Sequence, residues 1–285
     1  MTGSSVSTTF GVEKMHKTSH SFALGTSVAL ILAYLIFPII VVVGISFNAT
    51  TALRFPPNGW SLRWYEQLFS SSEWTGSFLI SLQVGTLTMI LSVLIGVPAA
   101  FALSRYKPPG RKLINALLLS ALIAPPVVRA LSTYLFYVPL GLNNTILGLA
   151  IAHSVGGIPF VVINTVAGLR SFDTTLERAA IIHGAHPFIA VITITLKVIF
   201  PSIMVGAIFA FMQSLQELLI SIFVLGTLGS PLAVKMWEGV RVGVDPTIAA
   251  ASSMLVVLAA VVFGIVALAK LATDARGSAR AGAGE

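Results

Sequence analysis

FDTTLERAAIIHGAHPFIAVITITLKVIFP, residues 172–201, is a polar interruption between two long apolar runs, and its reading decides the fold. Two short helices are written into it. Thr174 with Glu177 three residues on has the form of a capping box, in which the hydroxyl and the carboxylate each satisfy a free backbone N–H at a helix start. Gly184 follows the last helix-compatible residue, where a left-handed residue closes a helix without a Cβ penalty. Pro187 suits the first turn of a second helix, where its missing N–H would have no partner in any case. The spacing predicts a helix, a glycine turn and another helix within a loop over 171–197 that lies outside the bilayer core. Ala179 and Ala180 leave the first helix with a small-residue patch that another protein's surface can approach closely. On spacing alone, an ordinary solvated hairpin joining two spans reads the same way.

On either side of this stretch the chain is apolar. Of its 285 residues 56% are hydrophobic and 9% charged, and the mean hydropathy is +0.93. Globular soluble domains carry about a quarter charged residues, and apolar stretches of about twenty residues mark membrane spans. Six such runs cover about 22–47, 78–103, 113–140, 142–169, 198–225 and 248–269, so the expected fold class is an all-α membrane protein with six transmembrane helices over 22–272. Tails of 1–21 and 273–285 flank them. The first run is too long for the apolar region of a signal peptide and lacks a small-residue cleavage site, so it reads as an uncleaved span. Pro125 and Pro126 break the third run, and Gly156, Gly157 and Pro159 loosen the fourth.

The polar connections set the orientation. FPPNGWSLRWYEQLF, residues 55–69, breaks structure at Pro56, Pro57, Asn58 and Gly59 and then offers Trp60, Trp64, Tyr65 and Phe69, aromatics of the kind that sit at membrane interfaces. It reads as a surface helix on the outer face. With the N-terminus inside, the inner segments hold Lys14, Lys17, Arg105, Lys107, Arg111, Lys112, Arg170, Arg178, Lys197, Lys270, Arg276 and Arg280. That is twelve, against Arg54, Arg63, Lys235 and Arg241 outside, with Arg129 inside a span. Positive charge accumulates on the cytoplasmic side, so both termini and the central hairpin are expected in the cytoplasm. The formal charge of +7 therefore needs no nucleic-acid partner.

Within the fifth run, Gly206, Ala210 and Ser214 recur every four residues and give one face for close helix contact. Gln213, Gln216, Glu217 and Ser221, at spacings of three and four, share another face. Glu217 stands about 28 Å along a helix from its cytoplasmic start. A carboxylate near the centre of a span costs roughly 2.5–3.5 kcal/mol unless it meets a wet cavity or a partner. These four residues are candidates for lining a substrate path; the alternative is a pairing of Glu217 with Arg129 that only locks the bundle. His153, alone in its span, reads as a packing residue.

The chain has no means of its own to hydrolyse ATP. A phosphate-binding loop ends in Gly-Lys before Ser or Thr so that backbone amides and the lysine hold the phosphates, and no Gly-Lys pair occurs. Nucleophile–base pairs and acid–base carboxylate pairs are also missing from the sequence. There are no cysteines, and no cofactor or metal is expected.

The order Ala179, Ala180, Gly184, Ile194 and Leu196 resembles the EAA loop of the membrane subunits of binding-protein-dependent ABC importers, with Arg178 at the position of the motif's glutamate and Lys197 at that of its proline. FPPNGWSLRWY, RYKPPGR, GLRSFDTTLERAA, FAFMQSLQELLISIFV and AVKMWEGVRVGVDPTIAAASS look like the second permease of spermidine/putrescine-type importers, across about 250 residues. The resemblance implies a type I ABC importer permease whose loop is a coupling helix. Glu177, Arg178, Ala179 and Ala180, with Gly184, Ala185 and Pro187 at the turn, would then contact a cytoplasmic ABC ATPase. It implies further partners: a second permease in a heterodimer, a periplasmic or lipid-anchored binding protein, membrane lipid and a small-molecule substrate. A polyamine is the leading substrate, with an opine, an amino-acid derivative or another small organic cation behind it. Such permeases often carry Ser-Phe-Asp-Asp/Glu where this chain reads Ser-Leu-Gln-Glu at 214–217. An ion-coupled secondary transporter using Glu217 is the competing class. It is expected to show paired internal repeats, and no convincing repeat relates 22–140 to 142–270.

Overall fold

The computed structural model describes the backbone of residues 7–106, 108–226, 229–243 and 245–282, and the side chains within these from 24 to 268 other than 267. Lys107 of the basic turn lies outside the described residues, as do the side chains of Lys14, Lys17, Lys270, Arg276 and Arg280. Among the described residues the secondary structure is helical apart from one antiparallel bridge between Asn48 and Trp60. In chain order the helices are α1 (Ser7–Ser46), α2 (Arg63–Ser70), α3 (Ser72–Phe101), α4 (Arg111–Ile123), α5 (Pro126–Tyr137), α6 (Ile146–Ser171), α7 (Thr174–Ile182), α8 (Pro187–Ala190), α9 (Leu196–Gln216), α10 (Leu219–Leu225), α11 (Leu232–Val242) and α12 (Thr247–Gly282). A π-helical turn over Val191–Thr195 joins α8 to α9.

Five stretches are long and apolar enough to cross a membrane: Leu24–Ser46, Ser72–Tyr106, Ile146–Ser171, Pro187–Gln216 and Thr247–Val266. Counting α4 and α5, bent by 104° between Ile123 and Pro126, as one span brings the number to six. The bend follows from the two prolines. A residue before proline is driven out of the helical region, and both Ala124 (ψ 134°) and Pro125 (ψ 131°) are extended. The run expected as a simple broken span is thus turned through more than a right angle. The fifth run also differs from expectation. Its helix begins at Pro187 rather than 198, because the second hairpin helix runs on through the π-helical turn, and it ends at Gln216 rather than 225.

The chain divides into two compact units, residues 1–66 with 245–256 and residues 67–244 with 257–285. In the first, the aromatic loop is clasped onto the end of α1. The Trp64 indole N–H donates to the Asn48 carbonyl at 2.7 Å, and the Asn48 side-chain amide donates to Ala52 O at 2.7 Å. The Phe47 ring meets Trp60 and Tyr65 at 6.1 and 5.2 Å. Trp60 and Phe69 remain exposed, whereas Trp64, grouped with them in the sequence, is buried.

In the second unit α3, α6 and α9 pack on one another. Small residues make this possible: a Cβ placed on Gly206 would stand 2.7 Å from the Val161 Cα of α6, and one on Gly157 would stand 3.0 Å from the Ala210 Cβ of α9. One apolar cluster gathers Val84, Leu149, Ile220, Val224 and Leu225. Another, around Leu169, Phe172, Ile199 and Ile203, lies where α6 hands over to the hairpin.

Candidate functional site

The first helix of the hairpin is closed at both ends by capping bonds. Asp173, not Thr174, is the residue that caps α7: its carboxylate accepts from the Thr175 N–H at 2.9 Å. Either residue type can cap, and the choice of Asp173 frees Glu177 from the capping box that the sequence suggested. At the other end Gly184 has φ +92°, Gly184 N–H donates to Ile181 O at 3.0 Å and Ala185 N–H to Ala180 O at 3.0 Å. This pair of bonds is a Schellman closure. His186 then caps the next helix through its ring Nδ1, which accepts from the Phe188 N–H at 3.3 Å, and Pro187 occupies the first turn.

Glu177 turns inward. Its carboxylate accepts from Arg105 Nη1 at 2.7 Å and from the Thr195 hydroxyl at 2.7 Å. Burial raises its pKa, but the Thr195 and Arg105 hydrogen bonds and the guanidinium charge outweigh this and hold it below the usual carboxylate range. Arg105 in turn lies over the rings of Phe101 and Phe172 at 5.4 and 5.9 Å. A bridge therefore ties α7 to the end of α3 and to the start of the fifth span. Arg178, Ala179 and Gly184 stay exposed and Ala180 and Ala185 partly so; among the apolar side chains, Ile182 is 83% exposed. Nothing in the sequence marks Arg105 as the partner beyond its place in a basic turn.

The second region is a cavity of about 510 Å³ lined by Arg129, Phe160, Phe209, Met212, Gln213, Gln216, Glu217, Ala259 and Phe263. Three of the four residues expected on one polar face, Gln213, Gln216 and Glu217, are in its wall. Arg129 Nη2 reaches Glu217 Oε2 at 3.3 Å, and Gln213 Nε2 donates to the same oxygen at 3.1 Å. The aromatic rings were not anticipated: Phe160 and Phe209 stack at 5.8 Å with planes 16° apart, and Phe209 meets Phe263 at 5.3 Å.

Ser221 goes elsewhere, because the helix breaks at Glu217 (φ −75°, ψ 103°) and changes its facing. Ser221 Oγ donates to the Glu217 carbonyl at 2.6 Å and lies 3.3 Å from His153 Nε2, while His153 Nδ1 is 2.8 Å from Ser214 Oγ. Fully buried His153 thus bridges α9 and α10 across the break, a hydrogen-bonded packing role. Ser221 lines a separate cavity of about 200 Å³ with Trp237, Glu238 and Arg241 among its walls.

A family profile described as "Binding-protein-dependent transport system inner membrane component" matches residues 92–272, a stretch containing the hairpin and every named residue of the cavity wall. The spermidine/putrescine transport system permease protein PotC of Escherichia coli (strain K12) is 30% identical over 233 residues, 81% of this chain and 87% of that protein. The putrescine transport system permease protein PotI of the same organism is 29% identical over 229 residues, 78% and 81% of the two chains. Among solved structures, that of a bacterial ABC transporter involved in the import of the acidic polysaccharide alginate has a chain that matches with a TM-score of 0.70 at 16% identity. The match covers 93% of this chain and 98% of that one, and at this identity it shows the fold. A profile match over more than half the sequence, carrying the hairpin with it, means that the chain belongs to the binding-protein-dependent transport system inner membrane components, as a multi-pass permease of the ABC importer type.

Proposed function

We propose that this permease forms half of the translocation path of an ATP-driven importer for a small organic amine, and is driven through the hairpin by a separate ATPase. The observation that carries the reading is the hairpin itself. Its helix is closed at both ends by capping bonds, tied at its base through Glu177 and Arg105, and leaves Arg178, Ala179 and Ile182 exposed for a partner. The Lys and Arg distribution supports a cytoplasmic hairpin and cytoplasmic termini. The chain itself is non-catalytic in this scheme, since the sequence carries no phosphate-binding loop. A second permease completes the path as a heterodimer, and a periplasmic or lipid-anchored binding protein delivers the solute.

The amine is supported from two directions. Both named relatives are polyamine permeases, which puts spermidine and putrescine first. The cavity offers a carboxylate, Glu217, beside three rings, and aromatic faces attract cations by about 0.5–2 kcal/mol. A second reading, an amino-acid derivative or opine, is favoured by Arg129 in the same wall. The test is reconstitution of the permease pair, ATPase and binding protein in vesicles. Uptake of labelled amine is expected only with ATP and all components. Uptake driven by an ion gradient without the ATPase would instead make the protein a secondary transporter.

A further inference from the structure

We infer that the cavity is built for an amine that also carries a carboxylate, and that Arg129 is the residue that selects it; the inference rests on the reading that this cavity lies on the substrate path. Of the residues in the cavity wall, only Arg129 and Glu217 are charged, one of each sign. A polycation entering such a site finds one carboxylate already matched by a guanidinium 3.3 Å away, and its second ammonium meets a like charge. Binding sites are selected by charge complementarity, and like charges brought together are penalised. A molecule with both signs finds the opposite situation.

The hydrogen bonding of Glu217 points the same way. Both bonds to Glu217 land on Oε2, which leaves Oε1 for a further donor. An ammonium donates to that oxygen, and a carboxylate accepts from the guanidinium of Arg129, which lines the same cavity. The apolar body between them lies along Phe160, Phe209 and Phe263, whose rings line the wall with Met212 and Ala259. About 510 Å³ is within the range of small-molecule sites.

Putrescine and ornithine differ by a single carboxylate and are the probes. Their binding to the complete importer in lipid nanodiscs is measured by calorimetry, for the wild type and for Arg129→Met. Ornithine is expected to bind the wild type at least tenfold more tightly than putrescine, and Arg129→Met to abolish that preference. Since Arg129→Met leaves Glu217 without its counter-ion, the paired Arg129→Met/Glu217→Gln variant, which removes both charges, is measured beside it and should also lose the preference. Failure of ornithine to bind the wild type, equal or tighter binding of putrescine, or a preference that persists in the paired variant overturns the inference. Stimulation of the wild-type importer's ATP hydrolysis by its binding protein reports on the permease reading separately. If it is present while the ornithine preference is absent, the inference fails alone; if it is absent, the permease reading fails with it.

Discussion

Glu177 is one turn into α7, yet its carboxylate is spent on Arg105 and Thr195 rather than on the helix start. Its lowered pKa fixes the sign of a pH effect. A carboxyl group whose folded-state value is depressed adds stability that is complete above the ordinary carboxylate range and is lost as pH falls through the depressed value. Glu177→Gln should therefore lower stability by about 1–2 kcal/mol at neutral pH, near the low end for charged hydrogen bonds because solvent reaches Arg105. The exposed neighbour Arg178→Gln should stay within about 0.5 kcal/mol. Thermal denaturation in nanodiscs at neutral pH and again below the carboxylate range measures both; the Glu177 difference should shrink in acid, and equal effects of the two variants would contradict the bridge. None of this was legible from the hairpin's own sequence. The capping-box spacing is satisfied by Thr174 and Glu177, but Asp173 is an equally good cap one residue earlier, and the partner that claims Glu177 is 72 residues away.

Among the elements, those marked by proline and glycine were readable and the one without such a mark was not. Gly184 was expected to close α7, and it does so at φ +92°. A β-branched residue strongly disfavours that conformation. No neighbouring atom stands within 4 Å of an added Cβ, so the strain of Gly184→Val is purely conformational and local to the turn. In this variant, ATP-driven uptake and binding-protein-stimulated ATP hydrolysis should both fall by at least tenfold, with membrane insertion unchanged; normal uptake would remove the hairpin from the mechanism. The doubled proline at 125 and 126 likewise announced a break, though not its 104° angle. The break at Glu217 and Leu218 had no signal, since neither glycine nor proline is there. It is held by tertiary bonds: His153 spans Ser214 and Ser221, and Ser221 takes up the Glu217 carbonyl that the interrupted helix leaves free. For this reason the face shared by Gln213, Gln216 and Glu217 does not extend to Ser221.

For the molecule as a whole, composition alone was enough to announce a helical membrane protein, because an apolar chain in lipid must satisfy its backbone internally. The small-residue period in α9 also announced a close helix contact, and α6 is the partner, seen at Gly206 against Val161. The pairing of Glu217 with Arg129, named from the sequence as the alternative to a lined path, forms across 88 residues, whereas the rings beside it come from α6, α9 and α12 and carried no sequence signal. In the proposed scheme chemical energy enters through the hairpin, and a sequence without cysteine allows a direct test. Ala179→Cys, in the exposed small-residue patch, supplies the chain's sole thiol, and Thr51→Cys in the aromatic loop supplies a control. With a short bis-maleimide in membranes containing the whole importer, Ala179→Cys should cross-link to a cysteine-bearing ATPase in a yield that changes on adding ATP, and Thr51→Cys should not. Failure of Ala179→Cys to reach the ATPase, or an equal yield from Thr51→Cys, would contradict the claim.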